Sequence, residues 1–240
     1  MSQMTELLSL VLPIFLLIGV GYAALRSGFV KKEQNDALGA FVLNFALPAL
    51  ILHALTSRSA GDGFDWAYVL VYAGGSLASF CLVIAFLRGV LGRPLPRAAM
   101  GALGASSSNS GFMGFPVASL ALGAPALVAL PMVMLVENFL IIPLALILAE
   151  AGLQQGQTVA ASVRQTARRL ARTPLVIAIV LGAVLSALGL HLPGPLDTAI
   201  DMMAKASAPC ALFVVGGTLA GIGTGGMASD VLWIVLGKLV

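Results

Sequence analysis

In four places polar or charged side chains interrupt runs that are otherwise apolar. Between Gly101 and Pro116, Ser106, Ser107, Ser108, Asn109 and Ser110 lie together, followed by Gly111, Gly114 and Pro116. Proline removes a backbone donor and disfavours helix at Phe115, so a discontinuous helix is expected here. Its second half, beginning near Gly114, would offer free N–H groups to an anion. A Ser/Gly helix packed closely on its neighbours is the plainer alternative. Glu137 and Asn138 stand in a second run, ahead of Pro143. An acid in such surroundings costs several kcal/mol and persists only if paired, protonated or facing water. A proton relay, a cation ligand, a substrate contact and a structural pair, with Lys205 as a candidate partner, are all open. The third run has Asn44 one turn before Pro48, with His53 after it; the fourth has Lys205 and Pro209. His53 either functions or faces headgroups, and Lys205 either functions or snorkels outward.

Enzyme chemistry finds little support. Asp197 and Asp201 have the DxxxD spacing that can hold Mg²⁺ and a diphosphate, but a prenyltransferase needs a second acidic cluster and none exists. There is no HExxH, and His191 is isolated. The two aspartates are expected to cap a helix, where acids suit the N-terminus. Cys81 and Cys210 lie inside apolar runs and suggest neither a disulfide framework nor zinc. No catalytic residue, metal or cofactor is assigned.

The elements that must hold these groups follow from composition. Of 240 residues, 59% are hydrophobic and 10% charged, and the mean hydropathy is +1.02. Neither a soluble globular enzyme nor a disordered chain could keep that much apolar surface from water. The apolar runs are continuous, which excludes a β-barrel. An all-α polytopic membrane protein is predicted, with spans at 7–25, 37–56, 66–87, 98–121, 126–149, 174–190 and 196–221. A last run, 231–240, rises only about 15 Å, against a bilayer core of about 30 Å, and reads as a cut span. The N-terminus has no basic stretch, only Glu6, so Leu7 onward reads as a retained span rather than a signal peptide.

Ten of the 13 basic residues fall in alternate connections: Arg26, Lys31 and Lys32; Arg88, Arg93 and Arg97; Arg164, Arg168, Arg169 and Arg172. The other connections carry Arg58, Asp62, Asp65, His191 and Asp197. The positive-inside rule puts the N-terminus outside and the basic connections in the cytoplasm. The pI of 9.1 is thus a topology signal and not a nucleic-acid patch. Val163–Arg172 forms either a short interfacial helix or a solvated basic loop.

A shift of 161 residues brings landmarks into register: Pro13 with Pro174, Gly21 with Gly182, Gly28 with Gly189, Asp36 with Asp197 and Pro48 with Pro209. The two copies enter the membrane in opposite directions, which is the inverted-repeat pattern of secondary transporters. Residues 1–150 are then a first five-helix repeat, 151–173 a basic cytoplasmic linker, and 174–240 an incomplete second repeat.

The chain resembles the auxin efflux carrier family in its bacterial branch. The stretch Asn109-Ser-Gly-Phe-Met-Gly-Phe-Pro116 is similar to the family's N-x-x-x-M-G-x-P crossover. Phe41–His53 is similar to its second helix, and Ala208–Gly217 to its seventh. The resemblance implies ten helices in two inverted repeats. It implies a scaffold domain of helices 1, 2, 6 and 7 and a transport domain of 3–5 and 8–10, moving as an elevator. Crossed broken helices 4 and 9 would form the site for organic anions such as malonate or malate. Asn109 would contact the carboxylate, with Ser108, Ser110, Gly111, Gly114, Pro116 and Asn138 as further substrate-binding candidates. Glu137, where plant members tend to have Gln, joins Asn44, His53 and Lys205 as candidates for a proton or cation site. Pro48 and Pro209 would break their helices. The second crossover would fall one period beyond Asn109, at about residue 270, so the sequence is expected to be a fragment that lacks half of the site.

The expected function is secondary transport of a small organic anion, coupled to H⁺ or Na⁺, in a multi-pass protein of the inner or plasma membrane. The expected partners are that anion, the coupling ion and the lipid bilayer; a homodimer is left open and nucleic acid is excluded. A non-transporting fragment or a membrane sensor is the alternative, and an intramembrane enzyme a distant third.

Overall fold

A computed structural model describes residues 3–57, 65–153, 159–190 and 192–222, together with Val235. Among these the chain is helical, with no strand. Apart from Val235, the run 231–240 lies outside the described residues, as do Arg58, Asp62 and His191.

The helices are α1 (Gln3–Arg26), α2 (Lys32–Phe41), α3 (Leu47–Thr56), α4 (Trp66–Gly89), α5 (Leu95–Ser106), α6 (Phe115–Leu122), α7 (Ala124–Val136), α8 (Ile142–Leu153), α9 (Val159–Leu170), α10 (Pro174–Ala187) and α11 (Gly194–Gly221). A π-turn, Val42–Ala46, joins α2 to α3; another, Glu137–Ile141, joins α7 to α8; a third, Ser110–Gly114, leads into α6. Lys32–Thr56, Trp66–Gly89, Ala124–Leu153 and Gly194–Gly221 are each long and apolar enough to cross a membrane. The expected fourth span is broken into α5 and α6. Apolar side chains face outward, among them Leu70 and Val71, 70% and 77% exposed. Lipid is the solvent that such a surface requires.

The helices gather into two compact units. The first comprises Met1–Gly63, Asn109–Pro131 and Pro174–Gly223. It therefore holds the first, second, sixth and seventh expected spans, α6 with its π-turn, and α7 as far as Pro131. Of the fourth span this unit takes only the second half. The reason is local: α6 packs on α1 and α11, and the break after Ser106 disconnects it from α5. In this unit α1 lies along α11, and α3 along α10. Glycines permit the first of these contacts. A Cβ at Gly21 would strike the Phe213 carbonyl, and one at Gly216 the Ile18 carbonyl. At Gly182 an added Cβ would meet Leu55 Cδ1 at 2.8 Å.

These contacts follow the 161-residue register. The shift carries α1 onto α10 and the α2–α3 segment onto α11, so the pair α1/α11 maps onto α10/α3. The helix ends follow it too. Gly28 and Gly189 have φ of 75° and 62°. The N–H of Gly28 donates to Leu25 and that of Gly189 to Ser186, each at 3.1 Å. The preceding residues repeat the match, Ser27 donating to Ala23 and Leu188 to Val184. Both helices end on a left-handed residue, a conformation open to glycine at little cost.

The second unit comprises Phe64–Ser108, Met132–Thr173 and Thr224–Val240. Here α5 packs between α4 and α8, and α9 lies along α8. Asp65 caps α4, its Oδ1 accepting the Tyr68 N–H at 3.0 Å. Close approach again falls at glycine: a Cβ at Gly101 would meet Leu87 Cδ1 at 2.6 Å, and one at Gly152 the Pro96 ring, also at 2.6 Å.

Candidate functional site

Three π-turns share one cause. Each ends two residues before a proline: Pro48, Pro116 or Pro143. A proline inside a helix lacks the N–H owed to residue i−4, and its ring collides with that carbonyl. Widening the preceding turn relieves the collision. The residue before each proline accordingly donates five residues back, Leu47 to Val42, Phe115 to Ser110 and Ile142 to Glu137. The carbonyls of Asn44, Phe112 and Phe139 lose the donor that the proline would have supplied. Pro209 behaves differently: α11 continues through it without a π-turn.

The fourth span breaks after Ser106. Ser107 is extended (φ −105°, ψ 139°) and Asn109 has φ −80°, ψ 61°. The second half then starts at Ser110, earlier than the start expected near Gly114. The π-turn forced by Pro116 makes the difference. The Asn109 carbonyl accepts from Met113 at 3.0 Å and from Gly114 at 2.8 Å. The Gly114 N–H is therefore committed within the turn and is not a donor for an anion. Ser110, Gly111 and Pro116 are buried in the same turn and at the start of α6.

Within the first unit Asn109 and Phe112 line a cavity of about 570 Å³. Asp36, Asn44, Val214 and Thr218 share its wall. The structure thus joins Asn44 with Asn109, two residues that the sequence placed in separate spans. The Asn44 Nδ2 donates to the Ala40 carbonyl at 2.8 Å, which fixes the amide along its own helix. Below the wall the buried Asn35 Nδ2 donates to the Val214 carbonyl at 3.3 Å and to Thr218 Oγ1 at 3.4 Å.

Within the second unit Glu137 is 3% exposed. Its Oε1 accepts the Ser108 backbone N–H at 2.9 Å and the Tyr72 hydroxyl at 3.0 Å. The carboxylate thus holds the end of the interrupted span. Asn138 is buried beside it but turns back on its own helix, donating to the Met134 carbonyl at 2.9 Å.

His53 and Lys205 meet in the first unit. His53 Nδ1 lies 3.7 Å from Asp197 Oδ1 and Nε2 3.8 Å from Asp201 Oδ1, while Lys205 Nζ is 2.5 Å from Asp201 Oδ2. Lys205 is mostly exposed. Its partner is Asp201, one turn back on α11, and Glu137 is held instead by Ser108 and Tyr72. The expected caps also differ. Pro193 is the N-cap of α11; Asp197 lies in the first turn and Asp201 in the next.

Sequence reasoning did not single out Tyr72, Phe112 or Thr218. Tyr72 looks like ordinary lipid-facing aromatic surface, and only the fold brings its hydroxyl to Glu137.

The sequence matches the family described as "Membrane transport protein" over residues 7–240. It is 33% identical to the "Putative malonate transporter" of Rhizobium meliloti (strain 1021) over 99% of this chain and 74% of the relative. It is 28% identical to the "Uncharacterized transporter YfdV" of Escherichia coli (strain K12) over 87% of this chain and 67% of the relative.

Proposed function

The chain belongs to the membrane transport protein family, the auxin efflux carriers of the sequence resemblance, and from that premise we propose that it is a secondary carrier of small dicarboxylates, malonate foremost, coupled to protons. It is a multi-pass transporter of the cell membrane; the substrate, the coupling ion and the elevator movement are our reading.

One observation carries it. The interrupted fourth span presents Asn109 and Phe112 to a cavity that also receives Asn44 and Thr218. A volume of about 570 Å³ lies within the usual range for small-molecule sites, and a few convergent polar groups on an apolar wall are what orients a ligand there. Amide and hydroxyl groups can donate to a carboxylate without the cost of burying a fixed cation. Asp36 on the same wall opposes a second full negative charge, which favours a dicarboxylate carrying one proton. The description of the relative from Rhizobium meliloti, "Putative malonate transporter", agrees with this substrate class.

Coupling is assigned to Glu137. It is a buried carboxylate in the middle of a span, and it holds the residue next to Asn109 in the chain. Donor hydrogens already crowd its Oε1. That suits a group exchanging a proton better than one wrapped around a hard cation, which needs several oxygens aimed at it. Lys205 is paired with Asp201 and His53 lies beside Asp197 and Asp201, and both are assigned structural roles. The homodimer stays an open part of this reading, and the membrane sensor is set aside in favour of the carrier.

The test is uptake of labelled malonate into proteoliposomes under an imposed pH gradient or, separately, a Na⁺ gradient. Uptake driven by the pH gradient and lost in a folded Asn109→Ala variant is expected. Uptake driven by Na⁺ alone would overturn the coupling assignment, uptake unaffected by Asn109→Ala would overturn the site, and no uptake under either gradient would overturn the carrier reading.

A further inference from the structure

The basic segment before the sixth span has its own geometry within the second unit. Residues 151–173 contain four arginines and no acid. α9 turns Thr166, 2% exposed, inward as it runs along α8. Arg169 lies 3.6 Å from Glu150, itself mostly buried in the last turn of α8. That pair ties α9 to the last turn of α8. The helix lies beside the final turn of Ala124–Leu153, a segment long and apolar enough to cross a membrane, and the end of such a segment is where headgroups are met.

With Arg169 paired, Arg164, Arg168 and Arg172 remain. They follow at i, i+4 and i+8, with Arg172 in the turn that closes the helix. At 3.6 residues per turn they share a face roughly opposite Thr166. All three are exposed and have no carboxylate partner among the described residues. A guanidinium fork matches phosphate oxygens two at a time. Three of them at headgroup depth, with no acid in the segment, complement the anionic lipids of the cytoplasmic leaflet.

We propose that the Arg164–Arg168–Arg172 face of α9 binds the phosphates of anionic phospholipids at the cytoplasmic surface. The site fastens one edge of the second unit to the headgroup layer, independently of whether the cavity carries malonate.

The experiment is a titration of phosphatidylglycerol, with phosphatidylcholine as reference, onto the purified full chain, read by native mass spectrometry. The variants are Arg164→Gln/Arg168→Gln/Arg172→Gln and, with an equal charge change in another cytoplasmic connection, Arg26→Gln/Lys31→Gln/Lys32→Gln. The α9 variant is expected to bind phosphatidylglycerol roughly fivefold more weakly per arginine, on the order of 100-fold in all, with phosphatidylcholine binding unchanged. The control variant should keep wild-type binding. Equal losses in both variants, or none in either, overturn the proposal. Displacement of the lipid by inorganic phosphate at low concentration would assign the face to a soluble anion and overturn it too. Should the triple variant not fold, Arg168→Gln alone, expected to lose about fivefold, decides in the same way.

Discussion

Glu137 Oε1 accepts the backbone N–H of Ser108 at 2.9 Å, so a carboxylate of the fifth span holds the end of the interrupted fourth. The same oxygen takes the Tyr72 hydroxyl at 3.0 Å. Glu137→Gln keeps an acceptor oxygen for both donors. Glu137→Ala leaves both unmet, and each unsatisfied buried donor costs about 1–3 kcal/mol. The Gln variant should therefore unfold within about 1 kcal/mol of the parent and the Ala variant at least about 2 kcal/mol earlier, measured by denaturant titration in detergent. The Gln side chain cannot exchange a proton, so malonate uptake by that variant should lose its response to a pH gradient. An Ala variant as stable as the Gln variant would show that the two hydrogen bonds contribute little.

The orientation of Glu137 depends on a proline six residues further along the chain, Pro143. Pro143→Ala supplies an N–H for the Phe139 carbonyl and removes the ring that forces the π-turn. The turn should close to α geometry. Removing one residue of winding turns the helix by about 100°, which carries Glu137 off the Ser108 N–H. The expected result is slower hydrogen exchange across 139–147 together with reduced uptake. Slower exchange with full uptake would detach Glu137 from the mechanism.

Much of this was legible in the sequence, for physical reasons. Span positions follow from apolar runs because lipid tolerates little else. The 161-residue register stood out because its landmarks are residues such as Gly28 and Gly189, which both occupy left-handed helix ends where other residues are strained. The break near Asn109 was visible because Pro116 cannot continue a helix unaided. Its form was not. Proline announces a disturbance but not whether the chain carries on as one helix, as α11 does through Pro209, or answers with a π-turn, as at Pro48. The half-helix therefore starts at Ser110 and not at Gly114. Tyr72 and Thr218 were invisible because spacing along one helix says nothing about which neighbour will face it.

Charge in the cavity gives a third prediction. Asn44→Asp would add a carboxylate to the wall that Asp36 already occupies. At an effective dielectric near 20, a like charge several ångströms away costs on the order of 2 kcal/mol. That corresponds to roughly a thirtyfold rise in the apparent KM for malonate, by the usual tenfold per 1.4 kcal/mol. Asp36→Asn should lower KM and shift uptake toward higher pH, where the substrate is a dianion. Asp36 is exposed at the surface of its helix, so neither change should cost much stability. If both variants kept the parent KM and pH profile, the cavity would not lie on the substrate's path.

The α1–α11 contact makes the sharpest prediction about packing, because glycines in the same protein serve as controls. Gly216→Ala drives a methyl into the Ile18 carbonyl, and Gly21→Ala one into the Phe213 carbonyl. Both obstacles are backbone, so no rotamer change relieves them, and the helices must part. Overpacking of this kind costs about 1–3 kcal/mol, and here it also strips contact from the longest helix pair of the first unit. Gly74 and Gly75, in α4, have nothing within 4 Å of an added Cβ. There Ala should stabilise the helix by up to about 1 kcal/mol each through propensity alone. Thermal unfolding of the four single variants in one detergent should thus fall on both sides of the parent, with Gly216→Ala and Gly21→Ala below it. If Gly21→Ala and Gly74→Ala shifted the midpoint alike, close approach of α1 and α11 would not be what these glycines provide.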